Sequence, residues 1–148
     1  MDLLLQDLLS SLTKTPREVD EKLVVKAYHF AALAHTGQTR KSGELYLSHP
    51  VAVATTLASW NLDTTAIVAG LLHDTVEEGG AKPEDIQKEF GEDIWRLVDG
   101  VTIVTNIRLT SNKDEYFVEN LRKILLVMAH DLRVVLIKLA DRLHNMQT

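Results

Sequence analysis

Gly70-Leu71-Leu72-His73-Asp74-Thr75-Val76-Glu77-Glu78-Gly79-Gly80 is the stretch whose reading decides the fold. It closes an apolar helical run (Ala66, Ile67, Val68, Ala69, Leu71, Leu72), sets an imidazole beside a carboxylate, and places two more carboxylates one turn on. A helix continued through Glu78 puts His73 and Glu77 on one face at i, i+4, with Asp74 and Glu78 on the adjacent one. Clustered carboxylates repel, so the arrangement is costly unless a cation or a catalytic task compensates. For a His-Asp pair alone, a solvated helix end is the plainer reading. The rest of the chain shifts that balance.

Working outward, the 148 residues suffice to bury a core, and one domain over residues 1–148 is the natural expectation. With 45% apolar and 25% charged residues and few aromatics, the composition favours helices over a sandwich of short strands. No apolar run reaches the length of a membrane span, and Met1-Asp2-Leu3-Leu4-Leu5 lacks the basic start of a signal peptide, so a cytoplasmic protein without membrane partners is expected. The absence of cysteine excludes disulfides, zinc-thiolate sites and thiol catalysis, leaving His, Asp, Glu or main-chain oxygen to hold any metal. A net charge of −5 argues against general affinity for nucleic acid. An anionic substrate therefore needs a local basic patch or a metal to receive it.

Before the central stretch, Leu at 3, 4, 5, 8, 9 and 12 predicts an amphipathic helix ending before Thr15-Pro16. Thr15-Pro16-Arg17-Glu18 reads as a capping box opening a second helix, which runs to about Thr36 and stops at Gly37. That helix carries His29 and His35, which lack an acidic neighbour in sequence and read as ordinary core or surface residues. Gly37 to Glu44 is polar, with two glycines around Arg40-Lys41-Ser42, and is expected to form a loop or tight hairpin. It delivers the chain to Ser48-His49-Pro50, where Ser and Pro bracket a helix start and leave His49 in its first turn. The third helix runs to about Ser59, and Asp63 is placed to cap the fourth.

After the central stretch, Lys82-Pro83-Glu84 starts a short helix closed by Gly91, and another runs from Glu92 to about Thr105. Residues 106–114 are polar and irregular in pattern, and helical periodicity resumes from Tyr116 to Met128. The His130-Asp131 pair is explained by capping, since Asp131 stands before the last helix. That helix, Arg133 to Met146, looks apolar almost all round and is expected in the middle of the bundle. Yet it contains Asp141. A buried unpaired carboxylate costs several kcal/mol, so Asp141 needs Lys138, Arg142 or a metal as partner; Asn145 faces the same way at i+4.

His49, then His73-Asp74, then Asp141 is the H…HD…D order of the HD-domain metal phosphohydrolases. The wording of Gln38 to Glu44, His49-Pro50, Leu71 to Glu78 and Val135 to Met146 resembles the hydrolase domain of the RelA/SpoT alarmone enzymes over nearly all of residues 20–148. The resemblance implies an all-α HD-domain helical bundle. It also implies an Mn²⁺-dependent hydrolase that removes the 3′-diphosphate of guanosine 3′,5′-bis(diphosphate) and its pentaphosphate relative. His49, His73, Asp74 and Asp141 match the family's metal ligands, and Glu77 its catalytic glutamate, with Glu78 beside it where the family usually has Asp. Arg40, Lys41, Ser42 and Asn145 match positions that hold the guanine nucleotide. Gly79-Gly80 and Gln147 depart from the family's wording, and its closing helices and synthetase domain are not expected within this chain. A mixed set of two imidazoles and two carboxylates independently suits Mn²⁺ with positions left open. The ligands do not encode the base, which leaves an HD phosphatase for NADPH or a deoxynucleotide as a rival. A module that binds the alarmone without turnover is the rival from another class; the retention of His73, Asp74 and Glu77 argues against it.

Overall fold

The computed structural model describes residues 2–106 and 114–148, with the side chains of 114–116 excepted. Within them the chain forms α1 (Leu3–Thr13), α2 (Glu21–Ala34), α3 (Ser48–Ser59), α4 (Thr64–Leu72), α5 (Pro83–Phe90), α6 (Glu92–Asn106), α7 (Asp114–His130) and α8 (Arg133–Gln147). The all-α expectation is met: among the described residues the only extended pairing is one isolated antiparallel bridge, Thr39 to Leu45. None of these helices is long and apolar enough to cross a membrane. The polar stretch expected to be irregular lies, at 107–113, outside the described residues.

The centre of the bundle is α4. Asp63 caps it, its side chain accepting from the Ala66 amide at 3.0 Å. Every residue from Ala66 to Leu72 is buried, and α2, α3, α6 and α8 all pack against it. A helix with no charged side chain has no face to give to water, and the fold encloses it. This corrects the expectation that α8 runs through the middle. That helix buries one stripe, Val134, Ile137, Ala140 and Asp141, while Leu139, Leu143 and Met146 remain exposed. Interspersed Arg133, Lys138 and Arg142 need solvent, and exposed leucines are common enough that counting them overstates burial.

The start of α2 also differs from expectation. Thr15 does not cap it: its hydroxyl donates back to the Leu12 carbonyl at 3.1 Å. Asp20 caps it instead, accepting from the Leu23 amide at 3.2 Å. The Asp20 amide is itself fixed by the Thr64 hydroxyl at 3.0 Å, and Arg17 reaches the Asn61 carbonyl, so the linker is tied to the turn between α3 and α4. Tertiary hydrogen bonds thus choose between two locally adequate caps.

Residues 38–46 form the expected tight hairpin. Arg40 N donates to Glu44 O at 2.8 Å and Gly43 N to Arg40 O at 2.9 Å, with Gly43 at a φ of 90° that side chains rarely adopt. At the other side of the molecule Asp131 accepts from the Arg133 amide and pairs with its guanidinium, which also reaches Asp63 at 2.7 Å. Leu132, with no side-chain cap bond, is the N-cap residue of α8; the expected cap, Asp131, stands one position earlier and takes the first helical amide instead. Its carboxyl is held below the usual range chiefly by the Arg133 hydrogen bonds.

Candidate metal centre and active site

The helix expected to continue through Glu78 ends at Leu72, with His73 as its C-cap. Two contacts turn the chain. Gly80 N donates to Ala34 O at 2.9 Å, and Ala81 N to Thr75 O at 3.2 Å. One helix-like bond survives, from Glu78 N to Asp74 O at 2.9 Å. His73, Asp74, Glu77 and Glu78 therefore still line one cavity, of about 560 Å³.

Three elements converge on the floor of that cavity. His49 enters from the first turn of α3, His73 from the end of α4, and Asp141 from α8, all of them buried. His49 Nε2 lies 2.6 Å and His73 Nε2 3.2 Å from the same oxygen, Asp141 Oδ1. Their ligand atoms all fall within 4.8 Å of one another, which is metal-site spacing. The far nitrogens are also held: His73 Nδ1 meets Gly70 O at 2.7 Å, and His49 Nδ1 meets His144 Nδ1 at 2.7 Å. Such outer contacts fix ring orientation and aim Nε2 at a metal. Asp74 stands beside them, its Oδ2 3.7 Å from His73 Nε2 and its buried Oδ1 without a hydrogen bond. Buried imidazoles and carboxylates arranged in this way fit a divalent ion.

Electrostatics follow the same lines. Burial alone would raise Asp141, but hydrogen bonds from His49 and His73 and the Lys138 ammonium, 3.0 Å from Oδ2, hold it well below the usual carboxylate range. Burial likewise opposes Asp74, and the charge on His73 with the neighbouring His35 and Tyr46 holds it low. Burial pulls His73 down; Asp74 and Asp141 overcome it and push the ring up to about 9. Of the two cationic partners considered for Asp141, the structure uses Lys138. Arg142 is exposed and lines the cavity instead.

The upper wall is cationic. Arg40, Lys41 and Ser42 line it from the hairpin. Arg40 Nη2 donates to Asn145 Oδ1 at 2.9 Å and to Thr148 Oγ1 at 3.1 Å, joining the hairpin to the end of α8. Asn145 sits, as its spacing from Asp141 predicts, on the face toward the cavity. Arg40, Lys41, Lys138 and Arg142 thus ring a site that holds four carboxylates, Asp74, Glu77, Glu78 and Asp141. Glu77 is exposed and accepts from Asn106 Nδ2 at 2.6 Å.

A family model described as HD domain matches residues 27–148. The chain belongs to the HD domain family. This HD domain is 47% identical over 131 residues to a GTP pyrophosphokinase of Myxococcus xanthus, an alignment covering 87% of the chain and 17% of the relative. It is 44% identical over 141 residues to the guanosine-3′,5′-bis(diphosphate) 3′-pyrophosphohydrolase of Escherichia coli O157:H7, covering 95% of the chain and 20% of the relative. The chain thus spans about a fifth of the length of the curated relatives it matches. A solved structure of a metazoan ortholog of SpoT, described as hydrolysing ppGpp, shares the fold with a TM-score of 0.65 at 28% identity, covering 88% of this chain and 72% of that one. The RelA/SpoT resemblance read from the sequence is borne out by these relatives.

Sequence reasoning missed three side chains at this site. Tyr46 donates its hydroxyl to Asp74 Oδ2, and burial and that carboxylate push its pKa up. His144 stacks on His49 at 5.0 Å, its pKa lowered by burial and by the nearby His49 and Arg40. His35, read as ordinary, is buried 3.4 Å from Asp74. Each partner lies at least 28 positions away in sequence, the separation of Tyr46 from Asp74, and no local pattern announces it.

Proposed function

We propose that this HD domain, acting as one unit over residues 1–148, hydrolyses the 3′-diphosphate of guanosine 3′,5′-bis(diphosphate) and its pentaphosphate relative, with Mn²⁺ as its metal. The observation that carries the reading is the convergence of His49, His73 and Asp141 on one point beneath a cationic wall. The names of the relatives support the substrate class. His49, His73, Asp74 and Asp141 would hold the ion. When bound, it supplies Lewis acidity, lowering the pKa of water and polarising a phosphoryl oxygen.

The side chains perform the rest. Arg40 and Lys41 lie against the guanine, Ser42 and Asn145 hold the nucleotide, and Lys138 and Arg142 offset the charge of the diphosphate. Glu77, oriented by Asn106, accepts a proton from the attacking water. The water oxygen bonds to the phosphorus attached to the 3′-oxygen as the bond between them breaks. That oxygen leaves with the electron pair and takes up a proton from solvent, to which the neighbouring Glu78 carboxylate is exposed. The products are pyrophosphate and GDP or GTP.

The test is pyrophosphate release from a nucleotide panel by the Mn²⁺-loaded protein. Guanine alarmones turned over faster than their adenine analogues, NADPH or deoxynucleotides support the reading. Preferred hydrolysis of one of the others assigns a different HD phosphatase. Alarmone binding without release of pyrophosphate assigns the binding module.

A further inference from the structure

His35 closes α2 as its C-cap, and its side chain is fully enclosed. Its ring lies 4.6 Å from that of Tyr46, tilted by 37°, and both side chains point at the Asp74 carboxylate. Tyr46 donates to Oδ2. Oδ1 faces His35 Nε2 at 3.4 Å, and these two atoms are the buried side-chain polar atoms without a hydrogen bond among the described residues. Two unsatisfied buried polar groups facing each other are costly unless they pair with one another.

The ring is not free to turn away. Gln38 donates from Nε2 to the Glu78 carbonyl at 2.6 Å, which fixes the polarity of its amide and leaves Oε1 facing His35 Nδ1 at 2.8 Å. Nδ1 must therefore carry a proton, and Nε2 is the nitrogen that meets Asp74. The same end of α2 grips the loop through Ala34 O and Gly80 N. A chain of contacts thus runs from the Glu78 backbone through Gln38 and His35 to Asp74.

We propose that His35 is a positioning residue, locked by Gln38, that fixes the Asp74 carboxylate in the orientation in which it ligates the metal. The inference rests on the metal reading above, and Mn²⁺ alone is the probe, so binding is separated from turnover. His35→Phe keeps a ring against Tyr46 and deletes both nitrogens. Outer contacts of this kind are worth about 10–100-fold in metal affinity, so calorimetric titration should show Mn²⁺ binding weakened by that factor. His35→Gln, whose Nε2 has nearly the reach of the imidazole Nε2, should recover part of the loss. Gln38→Leu leaves His35 in place without its anchor, and should weaken binding in the same direction by less. Steady-state turnover of the alarmone at saturating Mn²⁺ should then show KM near wild type for all three. Wild-type Mn²⁺ affinity in His35→Phe, or no difference between the Phe and Gln variants, overturns the inference and leaves the proposed function intact. Should His35→Phe fail to fold, Gln38→Leu decides: unchanged affinity there overturns it. A wild type that takes up no Mn²⁺ overturns the metal reading and this inference together.

Discussion

Alanine at position 79 tests whether the loop that carries Asp74 and Glu77 is held by close backbone approach to α2. A Cβ on Gly79 would stand 2.6 Å from Thr75 O, 2.9 Å from Ala34 O and 3.2 Å from Ala34 C. All three are backbone atoms, so no side chain can rotate aside. Reaching ordinary contact at 3.4 Å requires the loop to part from the end of α2 by roughly 0.5 Å and to open by roughly 0.8 Å against its own Thr75 carbonyl, the shortfalls of the two oxygen distances. Overpacking of this kind costs about 1–3 kcal/mol. Stretching the Gly80 N to Ala34 O bond puts about 1 kcal/mol more at risk. The expected destabilisation is about 2–4 kcal/mol, a fall in Tm of roughly 6–12 °C for a chain of this size. Gly80→Ala is the control, because its Cβ would meet only Ala34 O, at 3.9 Å, and it keeps its amide. Calorimetric melting of both variants reads the difference, and Mn²⁺ titration of folded Gly79→Ala should show weakened binding. A Gly79→Ala protein that melts within about 2 °C of wild type and of Gly80→Ala refutes the reasoning.

Asp141→Asn should abolish Mn²⁺ uptake, measured as bound metal after gel filtration; stoichiometric metal in that variant removes Asp141 from the site. Glu77→Gln should retain metal and lose at least about 10²-fold in kcat, while Glu78→Asp retains or improves activity, both read by steady-state kinetics at saturating Mn²⁺. Arg40→Ala should raise KM more than it lowers kcat, since the loss falls on holding the base; equal hydrolysis of adenine and guanine alarmones by the wild type would sink this assignment. His73 has a folded pKa near 9 against an ordinary 6.5, so its proton stabilises the metal-free fold below about pH 6.5, and that contribution is lost as pH rises through 9. Metal must displace the proton, so Mn²⁺ affinity should climb as pH rises toward about 9, with proton release visible as a dependence of binding heat on buffer ionisation enthalpy.

The features legible in the sequence share one property, that their physical cause is local. Asp63 before an apolar run caps α4, two glycines around a polar segment make the hairpin, and Ser48 and Pro50 frame the turn that carries His49. Where the cause is distant, the sequence misleads. The Thr15 to Glu18 segment has the composition of a cap, yet Thr64 and Asn61, from another part of the chain, tie the linker down and leave Asp20 to do the capping. Gly79 and Gly80 read as a departure from a family's wording; in the structure Gly79 is where the loop touches the backbone of α2 too closely for any side chain. His35 looked ordinary because its partner comes from another helix end.

The two aspartates of the site are held by different kinds of partner. Asp141 interrupts an apolar stripe of α8, and any reader of that helix must ask what neutralises it. In the fold the answer is two imidazoles that share Asp141 Oδ1 and a Lys138 ammonium, on a side chain 22% exposed at the cavity, that takes Oδ2. Asp74, marked in the sequence by its place beside His73, lies just past the end of α4 and is buried against Tyr46 of the hairpin and His35 at the end of α2. Its partners cannot exchange. Tyr46, at the end of the hairpin, packs its ring against His35, and His35 is held by Gln38. An ion entering the site therefore meets one carboxylate whose present partners are displaceable and one whose orientation is set beforehand. Preset geometry lowers the ordering cost of binding, and displaceable charge lowers its desolvation cost. The division of labour explains why truncating the fixed partners of Asp74 should weaken metal binding, whereas Lys138→Met, which frees Asp141 of its competing cation, should strengthen it.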